Sequence, residues 1–438
     1  MDWKEIYESR KCTADEAVSK VCSGDRVVTA HDVAEPSALI EALIRRRDSL
    51  RNVEISHMVN IGESDLYNPE YKESFHPNLW FLSGLTRKCV EEGRGDFTPL
   101  FFYEVPGLMR DGTIPVDVAL VMVTPPDEHG FVSTGVSGDY TVQAMKSAKL
   151  VIAQVNDQLP FTFGDGVFPV SEIHMFVEES RPLPTLPPAK IGPVEEAIGG
   201  YCAELIRDGD TLQLGIGGIP DAVCHQLKDK KHLGIHSELL SDGVVDLYET
   251  GVIDNSCKAI DRGKFVFNFV MGSRKLYDFC HRNPICEMRG VDYVNHPMVI
   301  AQNSNMVSIN SGIGVDFYGQ VASDTIGYRQ FSGVGGQVDF IRGTTMTADG
   351  KGRAIIAMPS VTKKRDGGLV SKITPLLAEG QPVTASRHDV NYVITENGIA
   401  QLKGKTVKDR ARALIGIAHP EFQEELKEGF EKMFQTKF

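Results

Sequence analysis

One carboxylate stands out as a candidate for chemistry. Glu238 sits in GIHSELLSDGVVDLY, just after a short β-like run and just before Ser241-Asp242-Gly243. A carboxylate at the end of a parallel strand lies on the edge where α/β sheets bind their ligands. Alone, a glutamate is ordinarily a solvated surface group; its neighbours lift this one above that reading. In TLQLGIGGIPDAV, Thr211 to Val223, an apolar run ends in Gly215-Ile216-Gly217-Gly218 and passes through Ile219 to Pro220. With the proline at the first helical position, the turn sets bare backbone N–H groups at a helix N-terminus, where they suit a phosphate or a developing oxyanion. The spacing is not G-x-G-x-x-G and no Walker lysine follows, which argues against a dinucleotide or P-loop site. A second turn, GVGGQVDF from Gly333 to Phe340, either forms an anion-binding nest or simply bends the chain between strands.

Other reactive side chains are weaker candidates. His31 follows the apolar run VVTA and precedes Asp32, so it too sits at a strand end. His57 and His129 read as core or surface histidines. His232 and His236 have H-x-x-x-H spacing, but an extended run would part them by roughly 13 Å, too far to share a metal, and no third ligand is evident. No metal is expected. The cluster Lys363-Lys364-Arg365 before Asp366-Gly367-Gly368 is either a solvated loop or a source of cations for a polyphosphate. There is no G-x-S-x-G elbow to mark an α/β-hydrolase serine.

These residues need elements to position them. A chain of 438 residues calls for two or three domains, and 42% apolar with 24% charged residues is the composition of a globular protein. With 59 acids against 46 bases the net charge is −13, which disfavours nucleic acid as a partner. No apolar run reaches membrane-span length, and the charged start MDWKEIYESRKC has no secretory h-region, so a cytoplasmic protein without membrane contact is expected. Eight scattered cysteines without C-x-x-C fit neither a disulfide framework nor a zinc knuckle.

Extended apolar runs (Leu150 to Val155, Ala354 to Ala357) alternate with helical stretches (Pro36 to Arg47, Pro220 to Lys228), the pattern of mostly parallel sheets covered by helices. The proline-rich segment from Glu179 to Val194 reads as a linker. On either side of it the same landmarks recur in order: Gly24-Asp25 and Gly209-Asp210, an apolar run, a helix opening near Pro36 or Pro220, then a short strand. In this alignment Met58 stands where the second half has Glu238, as expected if two related halves build one active site. The C-terminal stretch, Val407 to Lys437, reads as two helices broken at His419-Pro420.

GIGGIPDAV, HSELLSDGVVDL, GVDFYGQVASD, FSGVGGQVDFIRG and AMPSVTKK, in this order, resemble the acetyl-CoA hydrolase/transferase family. The resemblance implies two similar α/β domains, residues 1–185 and 186–438, with mostly parallel sheets and the active site at their interface. It implies a glutamate nucleophile at Glu238, with Gln213 and His31 facing the reacting acyl group. Gly215, Ile216, Gly217, Gly218 and Ile219 would line the CoA site, together with the segment from Asn310 to Gly312 and Ile313 and the turn Gly335-Gly336. Lys364, or Lys363, would meet the CoA phosphates.

The implied reaction moves CoA between acetyl-CoA and a short carboxylate, 4-hydroxybutyrate in the first place, in a homodimer. Glu238 would attack the acyl-CoA carbonyl, and the thiolate would return to give a glutamyl-CoA thioester. Alternatives are exchange between butyryl-CoA and acetate, hydrolysis of acyl-CoA, and a CoA-binding sensor without turnover.

Overall fold

The computed structural model describes residues 2–438 except Glu63, Ser64, Pro188 and Arg365. Pro188 of the expected linker and Arg365 of the basic cluster therefore lie outside the described residues. The chain divides into two compact units. Unit 1 holds Met1–Pro187, Phe265–Val294 and Phe331–Gly335; unit 2 holds Pro188–Lys264, Asn295–Gln330 and Gly336–Phe438. Residues 265–294 and 331–335, which the sequence reading gives to the C-terminal half, thus join unit 1. Pairing and packing explain the longer excursion: Phe265–Phe267 pairs in parallel with Cys286–Met288, Gly164 bridges to Met288, and Val291 enters a unit 1 core cluster.

Among the described residues, unit 1 is built on a seven-stranded sheet. Its strands are β1 (Arg26–Thr29), β2 (Val53–His57), β3 (Phe75–Leu79), β4 (Asp96–Phe97), β5 (Val118–Val123), β6 (Leu150–Val155) and β7 (Met175–Glu178). They are ordered β4-β3-β2-β1-β5-β6-β7, and all pairs are parallel. Strands of such a sheet are covered on both faces and so read as unbroken apolar runs. Successive residues accordingly enter different cores: Val27, Val118 and Leu120 join one cluster, while Val28, Ala119 and Val121 join the other. Helix α1 (Ser37–Arg45) follows β1 and buries Leu39, Ile40 and Leu43.

Unit 2 opens with α2 (Pro193–Glu204). Its sheet contains β8 (Thr211–Gln213), β9 (Gly234–Ile235), β10 (Met306–Asn310), β11 (Arg353–Ala357), β12 (Tyr392–Thr395) and β13 (Gly398–Gln401), and α3 (Gly218–Gln226) follows β8. The order is β9-β8-β10-β11-β12-β13, parallel except for the last pair. Helix α4 (Gln337–Thr345) precedes β11, and α5 (Val407–Gly416) and α6 (Pro420–Phe434) close the chain, broken as expected just before Pro420. No helix among the described residues is long and apolar enough to cross a membrane.

The two sheets share their register. Gly24 (φ 84°) and Gly209 (φ 79°) each make a left-handed turn two residues before the first strand, a conformation that favours glycine. Val27 pairs with Ile55 and Val118, and Leu212 pairs with Ile235 and Val307. Three residues beyond Ile55 is Met58; three beyond Ile235 is Glu238. In each sheet the strand order reverses beside that first strand, which creates the crevice where α/β sheets bind ligands.

Candidate functional site

Glu238 is positioned by the end of β9. The His236 N–H donates to Leu212 O at 3.1 Å, and the Ser237 hydroxyl donates to Leu214 O (3.0 Å) and accepts from the Leu214 N–H (3.3 Å). These bonds tie the segment carrying the carboxylate to the chain leaving β8. Glu238 is partly exposed, and its Oε2 accepts from Asn295 Nδ2 at 2.6 Å. The same amide donates to Asp339 Oδ2 at 3.4 Å, and both Asn295 and Asp339 are buried. This hydrogen bond holds the Glu238 carboxyl in a fixed rotamer.

Gly336, the N-cap of α4, backs the carboxylate. Its φ is −91°, open to any residue, so its lack of a side chain answers a need for space: a Cβ would collide with Glu238 Oε2 and Asn295 Nδ2. Gly335, with φ 54°, and Gly333 fall in unit 1, where a Cβ on Gly333 would lie 2.5 Å from Trp80 O.

Gln213 ends β8 at the strand-order reversal of unit 2. It is buried, and its Oε1 accepts from Asn310 Nδ2 at 3.1 Å, joining the ends of β8 and β10. Gly215, Ile216, Gly217, Gly218 and Ile219 follow directly; Gly217 has φ 112°, Ile216 is exposed, and α3 begins at Gly218. Pro220 is therefore the third helical residue rather than the first. The first turn has no intrahelical acceptor for any of its N–H groups, so proline fits there equally well. Beyond β10, the Gly312 carbonyl accepts from Lys372 Nζ at 3.1 Å and the Ile313 N–H donates to Ala322 O at 2.8 Å. Burial lowers the pKa of Lys372, with Glu396 opposing. Lys363 and Lys364 are exposed on the hairpin Val361–Lys363/Leu369–Ser371.

His31 lies just past β1 in unit 1 and is 2% exposed. Its Nε2 is 3.0 Å from Asp139 Oδ2, and its ring packs beside Tyr140 and Phe269. Asp139 also accepts from Ser137 Oγ (2.6 Å), the Thr141 N–H (2.9 Å) and Thr141 Oγ1 (3.0 Å). Burial works to raise the Asp139 pKa, but His31 and these donors outweigh it and hold the carboxyl below its ordinary value. Beside it, burial pushes Asp32 up to about 6 and Glu35 up to about 7. Both border a cavity of about 750 Å³ in unit 1, with Met122, Asn156 and Arg181 on its other sides.

Within unit 2, then, Glu238 and Gly336 touch, and Gln213 leads into the 215–219 turn; His31 and Gly335 belong to unit 1. Sequence reasoning missed Asn295, Asp339, Ser237, Lys372 and Asp139. Of these only Asp339 and Ser237 lay in motifs already singled out, and neither carried a mark of its role. No group of three or more His, Cys, Asp or Glu placed to hold a metal occurs among the described residues.

The model of the acetyl-CoA hydrolase/transferase N-terminal domain matches residues 1–187, and that of the C-terminal domain matches residues 272–430. The chain is 54% identical to the 4-hydroxybutyrate coenzyme A transferase of Clostridium kluyveri, over 99% of this chain and 100% of that one. It is 44% identical to the succinyl-CoA:cyclohexane-1-carboxylate CoA transferase of Geobacter metallireducens, over 98% and 97%. The crystal structure of 4-hydroxybutyrate CoA-transferase from Porphyromonas gingivalis superposes with a TM-score of 0.85 at 39% identity, covering 99% of this chain and 100% of that chain. With both domain models matched in order and likeness running the whole length, the chain belongs to the acetyl-CoA hydrolase/transferase family.

Proposed function

We propose that this chain is a CoA-transferase that moves CoA between acetyl-CoA and a short carboxylate, 4-hydroxybutyrate first, through a glutamyl-CoA thioester on Glu238. The observation that carries this reading is the setting of Glu238: a partly exposed carboxylate at a sheet edge, held by Asn295 and backed by Gly336, which has no side chain. The choice of acid follows the 54% identical relative, named for 4-hydroxybutyrate.

A Glu238 oxygen attacks the acetyl-CoA carbonyl carbon, the C–S bond breaks and CoA leaves as thiolate, giving an acetyl-glutamyl anhydride. The thiolate then attacks the glutamyl carbonyl carbon; the anhydride C–O bond breaks, acetate departs and the glutamyl-CoA thioester remains. The second acid runs the two steps in reverse. Carboxylates exchange for carboxylates throughout, so each step is nearly balanced and needs no external energy source.

Both tetrahedral intermediates carry an oxyanion, which a backbone donor typically stabilises by about 3–4 kcal/mol. The N–H groups of Gly335-Gly336 are the proposed donors, and those of Gly215 to Ile219, with Gly312 and Ile313, the proposed CoA contacts. His31 and Gln213 are the proposed acyl-group contacts. Lys364, on its exposed hairpin, would add a salt-screened attraction for the CoA phosphates. The homodimer and the cytoplasmic setting belong to the same proposal.

The test is acceptor dependence. With acetyl-CoA alone the protein releases no more than one equivalent of acetate and keeps the CoA as the Glu238 thioester; added 4-hydroxybutyrate gives continuous turnover with parallel double-reciprocal lines. Continuous CoA release without an acceptor would instead make it a hydrolase, and a panel of acids ranks 4-hydroxybutyrate against butyrate and succinate.

A further inference from the structure

The strand leading to Glu238 is held from outside by side chains. Strand β9 is the outer strand of its sheet. On the inner side the Gly234 N–H donates to Asp210 O (2.9 Å) and the His236 N–H to Leu212 O (3.1 Å). On the outer side Leu233 makes a single bridge to Ile253. At the next outward-facing residue, Ile235, side chains take the place of a strand: its N–H donates to Asn255 Oδ1 at 2.9 Å, and its carbonyl accepts from Lys258 Nζ at 2.8 Å. The same Nζ donates to Lys264 O at 2.8 Å, the last residue of unit 2 before the chain enters unit 1.

Lys258 is 1% exposed, an unusual place for a lysine. Gly234 makes room for its stem, since a Cβ there would lie 2.5 Å from Lys258 Cγ. Asn255, at φ 57°, is one of the few residue types that adopt this left-handed turn readily. Burial lowers the pKa of Lys258 to about 7, against the pull of Asp261.

We propose that Lys258, with Asn255, is a positioning residue for Glu238: it stands in for a neighbouring strand and fixes the backbone that carries the nucleophile. The proposal rests on the reading of Glu238 as that nucleophile. Ile235 is three residues upstream, about 10 Å along an extended chain, so a slip at Ile235 is passed directly to the carboxylate.

The experiment measures single-turnover acylation by acetyl-CoA, CoA binding at equilibrium, and amide exchange across residues 235–240. It uses the full chain and Lys258→Met, Lys258→Gln and Asn255→Gly. Lys258→Met is expected to slow acylation about 100-fold, the scale of an ångström misplacement, with CoA affinity unchanged and exchange across 235–238 accelerated. Lys258→Gln keeps two N–H donors and recovers part of the rate. Asn255→Gly keeps the left-handed turn, loses the acceptor and slows acylation too.

Acylation at the wild-type rate in Lys258→Met overturns the proposal, as does a loss matched by equal loss of CoA binding, or no recovery in Lys258→Gln. If Lys258→Met does not fold, the other two variants decide by the same readouts. Absence of any adduct on Glu238 in the unaltered chain defeats the nucleophile reading alone, while the exchange rates still decide whether the clamp exists.

Discussion

The space a side chain on Gly336 would need is filled by the Glu238 carboxylate, and the Asn295 amide that donates to this carboxylate closes the same space. A glycine near the start of a helix is often read as a conformational need. Here the backbone is ordinary, and the need is for a close approach to a carboxylate.

Gly336→Ala is therefore expected to leave the backbone unstrained and to displace Glu238. Steady-state kinetics should give a kcat lower by about 100-fold. The melting temperature should move little, because Gly336 caps α4 at φ −91° without a left-handed turn. A large loss of stability with normal activity in the surviving folded fraction would contradict this.

Asn295→Ala removes the donor from Glu238 Oε2. A hydrogen bond to a charged group contributes about 1.5–3 kcal/mol, so acylation should slow by roughly 10- to 150-fold. Asn295→Asp should be worse, because it places a third carboxylate between Glu238 and Asp339. Rapid-quench measurement of the acylation step separates the two variants.

Glu35 gives a pH prediction. Burial raises its folded pKa to about 7, so the folded state binds the proton more tightly than the unfolded chain does. Its neutral form is the stable one in the fold, and stability is lost as pH rises from the unfolded value of about 4.3 through the folded value. Glu35→Gln should therefore stabilise the protein more at pH 8 than at pH 5, by on the order of 2–3 kcal/mol. Urea unfolding at the two pH values checks it; an equal effect at both would contradict the buried, protonated acid.

His31 and Asp139 should act as one unit if His31 contacts the acyl group. Asp139→Asn keeps the shape but weakens the hold on the His31 ring, and it should lower kcat in the same direction as His31→Ala. The double variant should be no worse than His31→Ala alone, whereas additive losses in the mutant cycle would show independent roles.

Much of this is legible in the sequence. The apolar runs of β5 and β6 are strands because parallel sheets bury both faces, and the paired Gly-Asp turns at 24 and 209 marked two related halves. Counting along the matched strands brings Met58 and Glu238 to the same register, in agreement with the equivalence drawn from the sequence landmarks.

Its partners were hidden for a physical reason. Asn295 lies 57 residues further on, beyond an excursion into unit 1. An apolar run such as FVFNFVM encodes burial and not which sheet it will join. Charge in the sequence says as little about burial: Lys363 and Lys364 are conspicuous there and sit on an exposed hairpin. Lys258 and Lys372, isolated in the sequence, are drawn in against backbone carbonyls.

The central claim is a covalent bond at Glu238. Incubation with acetyl-CoA, followed by mass spectrometry of the digested protein before and after borohydride, reads it directly. The account predicts a CoA adduct on the peptide containing Glu238, removed by borohydride and absent in Glu238→Gln. No adduct, or an adduct on a cysteine that persists in Glu238→Gln, would contradict it.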